Sequence, residues 1–85
     1  MIHITIYGKQ GCCLCDDAEK MLRDLSADYS LEIEKVDITS DESLFEKYRC
    51  IIPVVVLDGA VTFELKISRY RIEKALRQLQ AAAAR

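Results

Sequence analysis

Cys12, Cys13 and Cys15 stand within four positions of one another in a chain of 85 residues. Cys12 and Cys15 form a Cys-x-x-Cys pair. The residues before it alternate like a strand, and those after it carry a helical stripe, so the pair falls at the mouth of a helix. A thiol in a first helical turn feels the positive end of the helix dipole and unpaired backbone N–H groups. Both favour the thiolate, the form of cysteine that attacks disulfides. Residues three apart on a helix share a face. The chemistry this placement supports is dithiol–disulfide exchange. The same sulfurs could also be half of a zinc site, with Cys50 and His3 as further ligands. Structural zinc sites usually show two such pairs and this chain has one, so the redox reading is preferred.

Positioning the pair requires a strand, a loop and a helix. Ile2, Ile4 and Ile6 alternate with His3, Thr5 and Tyr7, which predicts a strand with one aliphatic face. Gly8 to Gly11 predict a loop. A helix is expected from Cys12 or Cys13 to about Ala27, with Leu14, Ala18, Met21, Leu22 and Leu25 as its buried stripe. Asp28 to Ser30 form the turn out. Leu31 to Asp37 predict a second strand, whose phase shift at Val36 marks a bulge or the strand end. Thr39 and Glu42 have the spacing of a capping box opening a short helix through Leu44, Phe45 and Tyr48. Val54 to Leu57 read as a strand buried on both faces. Asp58-Gly59 is a type I′ hairpin signal, and Val61 to Leu65 return as the antiparallel partner. Ser68 is the expected cap of a last helix that buries Ile72, Ala75, Leu76 and Leu79. The two strands flanking the first helix must be parallel, joined by a right-handed crossover.

Composition narrows the function classes. A chain this long makes one domain, burying roughly 60–65% of its unfolded surface, so any site is shallow. The formal charge of −2 argues against nucleic acid as the main partner. No apolar run approaches the roughly 20 residues of a membrane span. The opening residues, 1–8, lack the features of a signal peptide, so a cytoplasmic location is expected. Three of the four cysteines are too close together to staple distant segments.

The strand–loop–Cys-x-x-Cys–helix opening, the Ile52-Pro53 step before a buried strand, and the Asp58-Gly59 hairpin with a terminal helix together resemble the thioredoxin fold. Lys9-Gln10-Gly11-Cys12 is similar to glutaredoxins. Tyr7-Gly8-Lys9, Cys12-x-Leu14-Cys15-Asp16 and Ile52-Pro53-Val54-Val55 resemble the small glutaredoxin-like proteins of poorly defined function. The likeness runs through about Gln80, giving a domain over 1–80 and a fraying helical tail over 81–85. It implies an α/β thioredoxin-like fold, β-α-β-α-β-β-α, with a four-stranded mixed sheet and helices on both faces. It implies Cys12 as nucleophile and Cys15 as resolving thiol. It implies a cis bond at Pro53, which would turn the Ile52 backbone toward the cysteines, where its N–H and C=O could pair with a substrate backbone. Lys9 would stabilise the Cys12 thiolate or hold a glutathione carboxylate; a solvated loop lysine is the equal alternative.

The chain departs from the glutaredoxin pattern at three places. Cys13 stands where proline is common, either as an inert small side chain or as a third working thiol. Leu14 replaces an aromatic residue. Lys66-Ile67 stands near the place of the Gly-Gly that admits glutathione, so weak glutathione affinity is expected. Cys50 is expected to be a buried helix-end or loop residue, with a regulatory disulfide as the minor alternative. His3 is expected to be structural, and Arg69, Arg71, Lys74 and Arg77 to form a solvated face. Asp16 and Asp17 suit the helix start but oppose a thiolate at Cys12.

The expected function is a small thiol–disulfide oxidoreductase, monomeric and without a bound cofactor, acting on protein disulfides or glutathione-mixed disulfides. Glutathione or a thioredoxin-reductase-like enzyme would supply the electrons, and neither nucleic acid nor membrane is a partner. The alternative is a non-enzymatic binding module, or a carrier of a metal or iron–sulfur cluster on its cysteines.

Overall fold

Ile2, Ile4 and Ile6 are all buried and point to one side of β1 (Ile2–Gly8). The computed structural model describes residues 2–83. After β1 come α1 (Cys13–Leu25), β2 (Leu31–Asp37), a 3-10 turn (Ile38–Ser40), α2 (Glu42–Tyr48), β3 (Val54–Leu57), β4 (Val61–Glu64) and α3 (Arg69–Ala83). The order is that expected, with the 3-10 turn added. β1 pairs with β2 in parallel and with β3 antiparallel, and β3 pairs with β4 antiparallel. The sheet order is β2-β1-β3-β4. β3 is an interior strand, which is why Val54, Val55 and Leu57 are all buried although they point to different faces.

One face of the sheet holds the main core. Ile2, Ile4, Ile6, Val55 and Leu57 meet Ala18, Leu22 and Leu25 of α1 and Ile72, Ala75 and Leu76 of α3. Each such aliphatic side chain contributes roughly 1.5–3 kcal/mol by leaving water. Leu79 and Met21 pack at the margin of this cluster. On the other face Tyr7 stacks on Tyr48 of α2, with ring centroids 4.8 Å apart. Helices thus cover both faces, two on one side and one short helix on the other.

Several local expectations differ from what forms. α1 stops at Leu25 rather than near Ala27: the Ser26 N–H is shared between the Leu22 carbonyl at 3.0 Å and the Arg23 carbonyl at 3.2 Å, its hydroxyl donates to the Arg23 carbonyl, and the Ala27 N–H tightens onto Asp24 at 3.3 Å. Leu14 is 50% exposed. The inward positions of α1 are 15, 18, 22 and 25, so Cys15 takes the slot that the periodicity gave to Leu14. β2 holds an unbroken register from Ile2 opposite Leu31 to Gly8 opposite Asp37, without a bulge. Val36, opposite Tyr7, belongs to the α2 face, so its phase shift records two covered faces.

Thr39 does not cap α2. Its N–H and hydroxyl both donate to Asp37 Oδ1, at 2.9 and 2.6 Å, inside the 3-10 turn. Asp41 caps α2 by accepting from Ser43 N–H at 2.8 Å and Leu44 N–H at 3.3 Å. Two successive aspartate caps turn the chain from β2 into α2, and charged acceptors are stronger than a threonine hydroxyl in this role. At the start of α3 the Ser68 carbonyl accepts from Ile72 N–H.

The hairpin turns through Asp58 and Gly59, whose φ values of 52° and 68° are the positive pair a type I′ turn needs. Leu57 lies opposite Val61, so the loop also includes Ala60. Asp58 fastens the turn to β1: its N–H donates to the His3 carbonyl, and its Oδ1 accepts from His3 N–H. β4 ends at Glu64, one residue short of expectation, because Leu65 swings to φ 60°. Residues 81–83 continue α3. Residues 84 and 85, the end of the expected tail, lie outside the described residues.

Candidate active site

The site is assembled where β1 ends. After Gly8 the chain turns through Lys9, Gln10 and Gly11, and Cys12 N–H closes the turn on the Lys9 carbonyl at 3.3 Å. Gly11 has φ +84°, a conformation that glycine adopts at little cost. Cys12 is then the N-cap of α1. Its backbone is extended, its carbonyl accepts from Asp16 N–H at 3.1 Å, and its sulfur accepts from Cys15 N–H at 3.2 Å. A sulfur here occupies the place of the oxygen that usually caps a helix. Negative charge on it would meet a donated hydrogen bond and the positive end of a 13-residue helix.

Cys12 and Cys15 are joined in a disulfide, with Cα atoms 5.2 Å apart, inside the range a disulfide spans. Cys12 is half-buried, and Cys15 is 7% exposed. The cysteine at the helix mouth is thus the more exposed of the two, and the one a turn in is shielded.

Gly8 is a site residue that the sequence reading left in a loop. A Cβ built on it would lie 2.8 Å from Cys15 Sγ and 3.1 Å from Cys15 Cβ. Only a residue without a side chain lets the Cys15 sulfur rest against the end of β1. The signal was in the sequence as a glycine closing a strand, a mark of close backbone approach.

The Ile52–Pro53 peptide is cis. Tyr7 pairs with Val54, and continuing that antiparallel register sets Pro53 beside Gly8, next to the cysteine pair. Pro53 is buried and Ile52 half-buried. Leu65 N–H bridges the Ile51 and Pro53 carbonyls at 3.1 and 3.0 Å, tying this segment to the end of β4. Leu65 was not singled out from sequence; its side chain is 47% exposed. Among the described residues, neither the N–H nor the C=O of Ile52 has a hydrogen-bond partner.

The remaining candidates separate. Lys9, Cys13, Asp16 and Asp17 are exposed around the helix mouth. Cys50 is exposed, not buried, because α2 has no fully buried residue and its last turn lies on the surface. His3 stands five residues before Gly8 on β1, about 16 Å along an extended strand, and cannot share a ligand with the cysteine pair. Its ring lies between Glu34 at 3.2 Å and Glu32 at 3.8 Å. Arg69 and Arg77 pair with Glu73 on the exposed side of α3.

One hollow borders the site, and another lies beside β4. The first, of about 470 Å³, runs from Gly8–Gly11 and Cys15 to Lys35, Val36 and Asp37 of β2. On its border Lys35 Nζ bonds Glu19 at 3.0 Å, and Arg23 bonds the same carboxylate. These hydrogen bonds, first Arg23 and then Lys35, hold the Glu19 carboxyl below its ordinary range. Hydrogen bonds from Thr39 do the same for Asp37. The other hollow, of about 590 Å³, lies between β4 and the start of α3, lined by Phe63, Lys66, Ser68 and Arg71.

The fold is shared with solved proteins. A structural-genomics target protein from X. campestris superposes with a TM-score of 0.75 at 24% identity, covering 88% of this chain and 96% of that one. A protein from Nitrosomonas europaea, solved by NMR, gives 0.75 at 25% identity over 88% and 91%. A mutant thioredoxin from Halobacterium salinarum gives 0.72 at 16% identity over 91% and 73%. The architecture is therefore thioredoxin-like. Residues 3–78 match the family described as Glutaredoxin-like domain (DUF836), nearly the whole length over which the cysteine pair, Pro53 and the hairpin are arranged, and the chain belongs to that glutaredoxin-like family.

Proposed function

We propose that this protein is a thiol–disulfide oxidoreductase in which Cys12 attacks and Cys15 resolves. The observation that carries this reading is the Cys12–Cys15 disulfide at the N-cap of α1, with the Cys12 sulfur accepting the Cys15 N–H. In the reduced protein the Cys12 thiolate attacks one sulfur of a substrate disulfide and expels the other as a thiolate. The Cys15 thiolate then attacks Cys12 Sγ, releasing the second substrate sulfur and closing the protein disulfide. Two electrons pass from the protein to the substrate. Glutathione or a thioredoxin-reductase-like enzyme restores the dithiol. No bound cofactor is needed, and we assign the activity to a monomer in the reducing cytoplasm.

The substrate would lie across Ile52 and Pro53, with the unpaired N–H and C=O of Ile52 pairing with its backbone as an added strand. Lys9, exposed beside Cys12, would hold a substrate carboxylate. Protein disulfides suit this arrangement better than glutathione-mixed disulfides, because Lys66-Ile67 stands in the sequence where the glutaredoxin pattern has the Gly-Gly that admits the tripeptide.

The test is turnover of a protein disulfide by the wild type, Cys12→Ser and Cys15→Ser. Cys12→Ser should abolish reduction, and Cys15→Ser should accumulate a substrate adduct on Cys12. Full activity in Cys12→Ser would remove the assignment. Calorimetry with glutathione should give no saturable micromolar binding.

A further inference from the structure

Charge is divided unevenly along the chain. Residues 1–46 carry four Lys and Arg against 11 Asp and Glu, and residues 47–85 carry eight against three. The sheet order β2-β1-β3-β4 turns this into a division in space. α1 and β2, joined through Glu19 and Lys35, form the acidic edge. β4 and α3 form the opposite, basic edge, with the hollow of about 590 Å³ between them. Such a separation gives a protein of small net charge a strong local field on one side, felt within a Debye length of about 8 Å.

The basic edge has cations to spare. Lys66, Arg71 and Lys74 are exposed and have no carboxylate partner among the described residues. Arg69 and Arg77 both hold Glu73, and that group too stays net positive. Glu64 is the other acid here. It stands on the opposite face of β4 from Phe63, which packs toward the core. Tyr70 is 73% exposed in the first turn of α3, and Lys74, four residues on, lies on the same face. Tyrosine and arginine are the side chains enriched where proteins meet. The edge also continues the surface assigned to the substrate. Leu65, 47% exposed, ties the Pro53 segment to β4, and Lys66 is the next residue. The unpaired N–H and C=O of Ile52 match a peptide backbone and not a nucleotide chain.

We propose that the β4–α3 edge docks an acidic stretch of a protein partner, through Lys66, Arg71 and Lys74 with Tyr70 as the apolar anchor. This rests on the oxidoreductase reading and names the class of substrate: proteins that carry carboxylates close to the disulfide presented beside Ile52. The acidic edge formed by α1 and β2 repels the same partner when it approaches the wrong way round, so the two edges together fix the orientation of encounter. A partner with basic residues at that place meets like charge and is rejected.

The experiment uses full-length protein carrying Cys13→Ser and Cys50→Ser and three peptides that differ only in what flanks a central cysteine: aspartates, asparagines or lysines. In the kinetic arm the peptide cysteine is a mixed disulfide with neutral 2-thiopyridine, and release of the thiopyridone by the reduced protein is followed by absorbance. Relative to the neutral peptide, the acidic one should react about three- to thirtyfold faster at low salt, the scale of three exposed ion pairs. The advantage should vanish near 1 M salt, where the Debye length falls to about 3 Å. Combining Lys66→Gln, Arg71→Gln and Lys74→Gln should remove it at low salt, whereas Lys20→Gln, an exposed charge on α1, should retain it. Referring each protein to its own rate with the neutral peptide cancels any change at the cysteines. Equal loss in Lys20→Gln would mean that net charge alone acts, and would overturn the proposal. In the binding arm the oxidised protein, which has no thiolate to attack with, is titrated by NMR with the same peptides carrying serine for cysteine. Shifts are expected over Leu65–Arg77 with the acidic peptide alone, and Tyr70→Ala should weaken them. Shifts elsewhere, none at all, or tighter binding of a short oligothymidylate at the same salt would overturn the docking surface. Equal turnover of all three peptides would do so while leaving the oxidoreductase reading intact. Turnover of none would count against that reading, and the NMR arm would still decide the docking surface.

Discussion

Gly8 is the residue on which the cysteine geometry turns. It lacks a Cβ where one would stand 2.8 Å from Cys15 Sγ. Gly8→Ala must push Cys15, the start of α1 or the end of β1 aside. The expected cost is about 1–3 kcal/mol in chemical denaturation, the range for overpacking a filled site. The altered sulfur placement should also shift the dithiol redox equilibrium against a glutathione buffer. Gly11, at φ +84° with open space around its Cα, offers a contrast. Gly11→Ala should cost about 1–2 kcal/mol of left-handed backbone strain, with a smaller effect on the redox equilibrium. The comparison separates close approach from loop conformation as reasons for glycine near the site.

The turn between β2 and α2 decides how α2 is presented to Tyr7. Asp41, not Thr39, supplies the helix cap, accepting from Ser43 and Leu44. Asp41→Ala should lower stability by about 1 kcal/mol, the usual cost of losing a cap. Thr39→Ser keeps the hydroxyl bond to Asp37 and should be close to neutral. Urea unfolding midpoints of the two variants check this, and an unchanged midpoint in Asp41→Ala would remove the cap assigned to Asp41. Similar logic explains Leu14. Periodicity alone gave it to the core, but the register of α1 against the sheet turns Cys15 inward there instead.

At the scale of the molecule a single modest core carries the site. Leu22 is fully buried among Ile4, Leu25 and the α3 aliphatics, and Leu22→Ala should cost about 2–5 kcal/mol. That is a large share of a total of order 5–10 kcal/mol for a domain this size, so the variant should be partly unfolded by circular dichroism at moderate temperature. The Glu19 cluster ties the outer side of α1 to β2 through Lys35. The Glu19 carboxyl is held low by Arg23 and Lys35, so its contribution is complete above the ordinary carboxylate pKa of about 4.3. That contribution is lost as the pH falls through the lower folded value. Thermal melts of Glu19→Gln should therefore show a smaller loss of stability on acidification in that window than the wild type.

The sequence determined the element order, the antiparallel hairpin, the aliphatic faces of β1 and α3, and the placing of Cys12 and Cys15 at a helix mouth. These follow from local periodicity, turn chemistry and spacing, which neighbouring residues encode together. It did not determine that Gly8 makes room for Cys15, that Leu65 holds the Pro53 segment, or that Cys50 and Leu14 face solvent. Those depend on the register between β1, β3 and α1, a relation between segments tens of residues apart. The number of atoms that meet across such a register is set only when the sheet closes, and a single chain read in order carries no record of it.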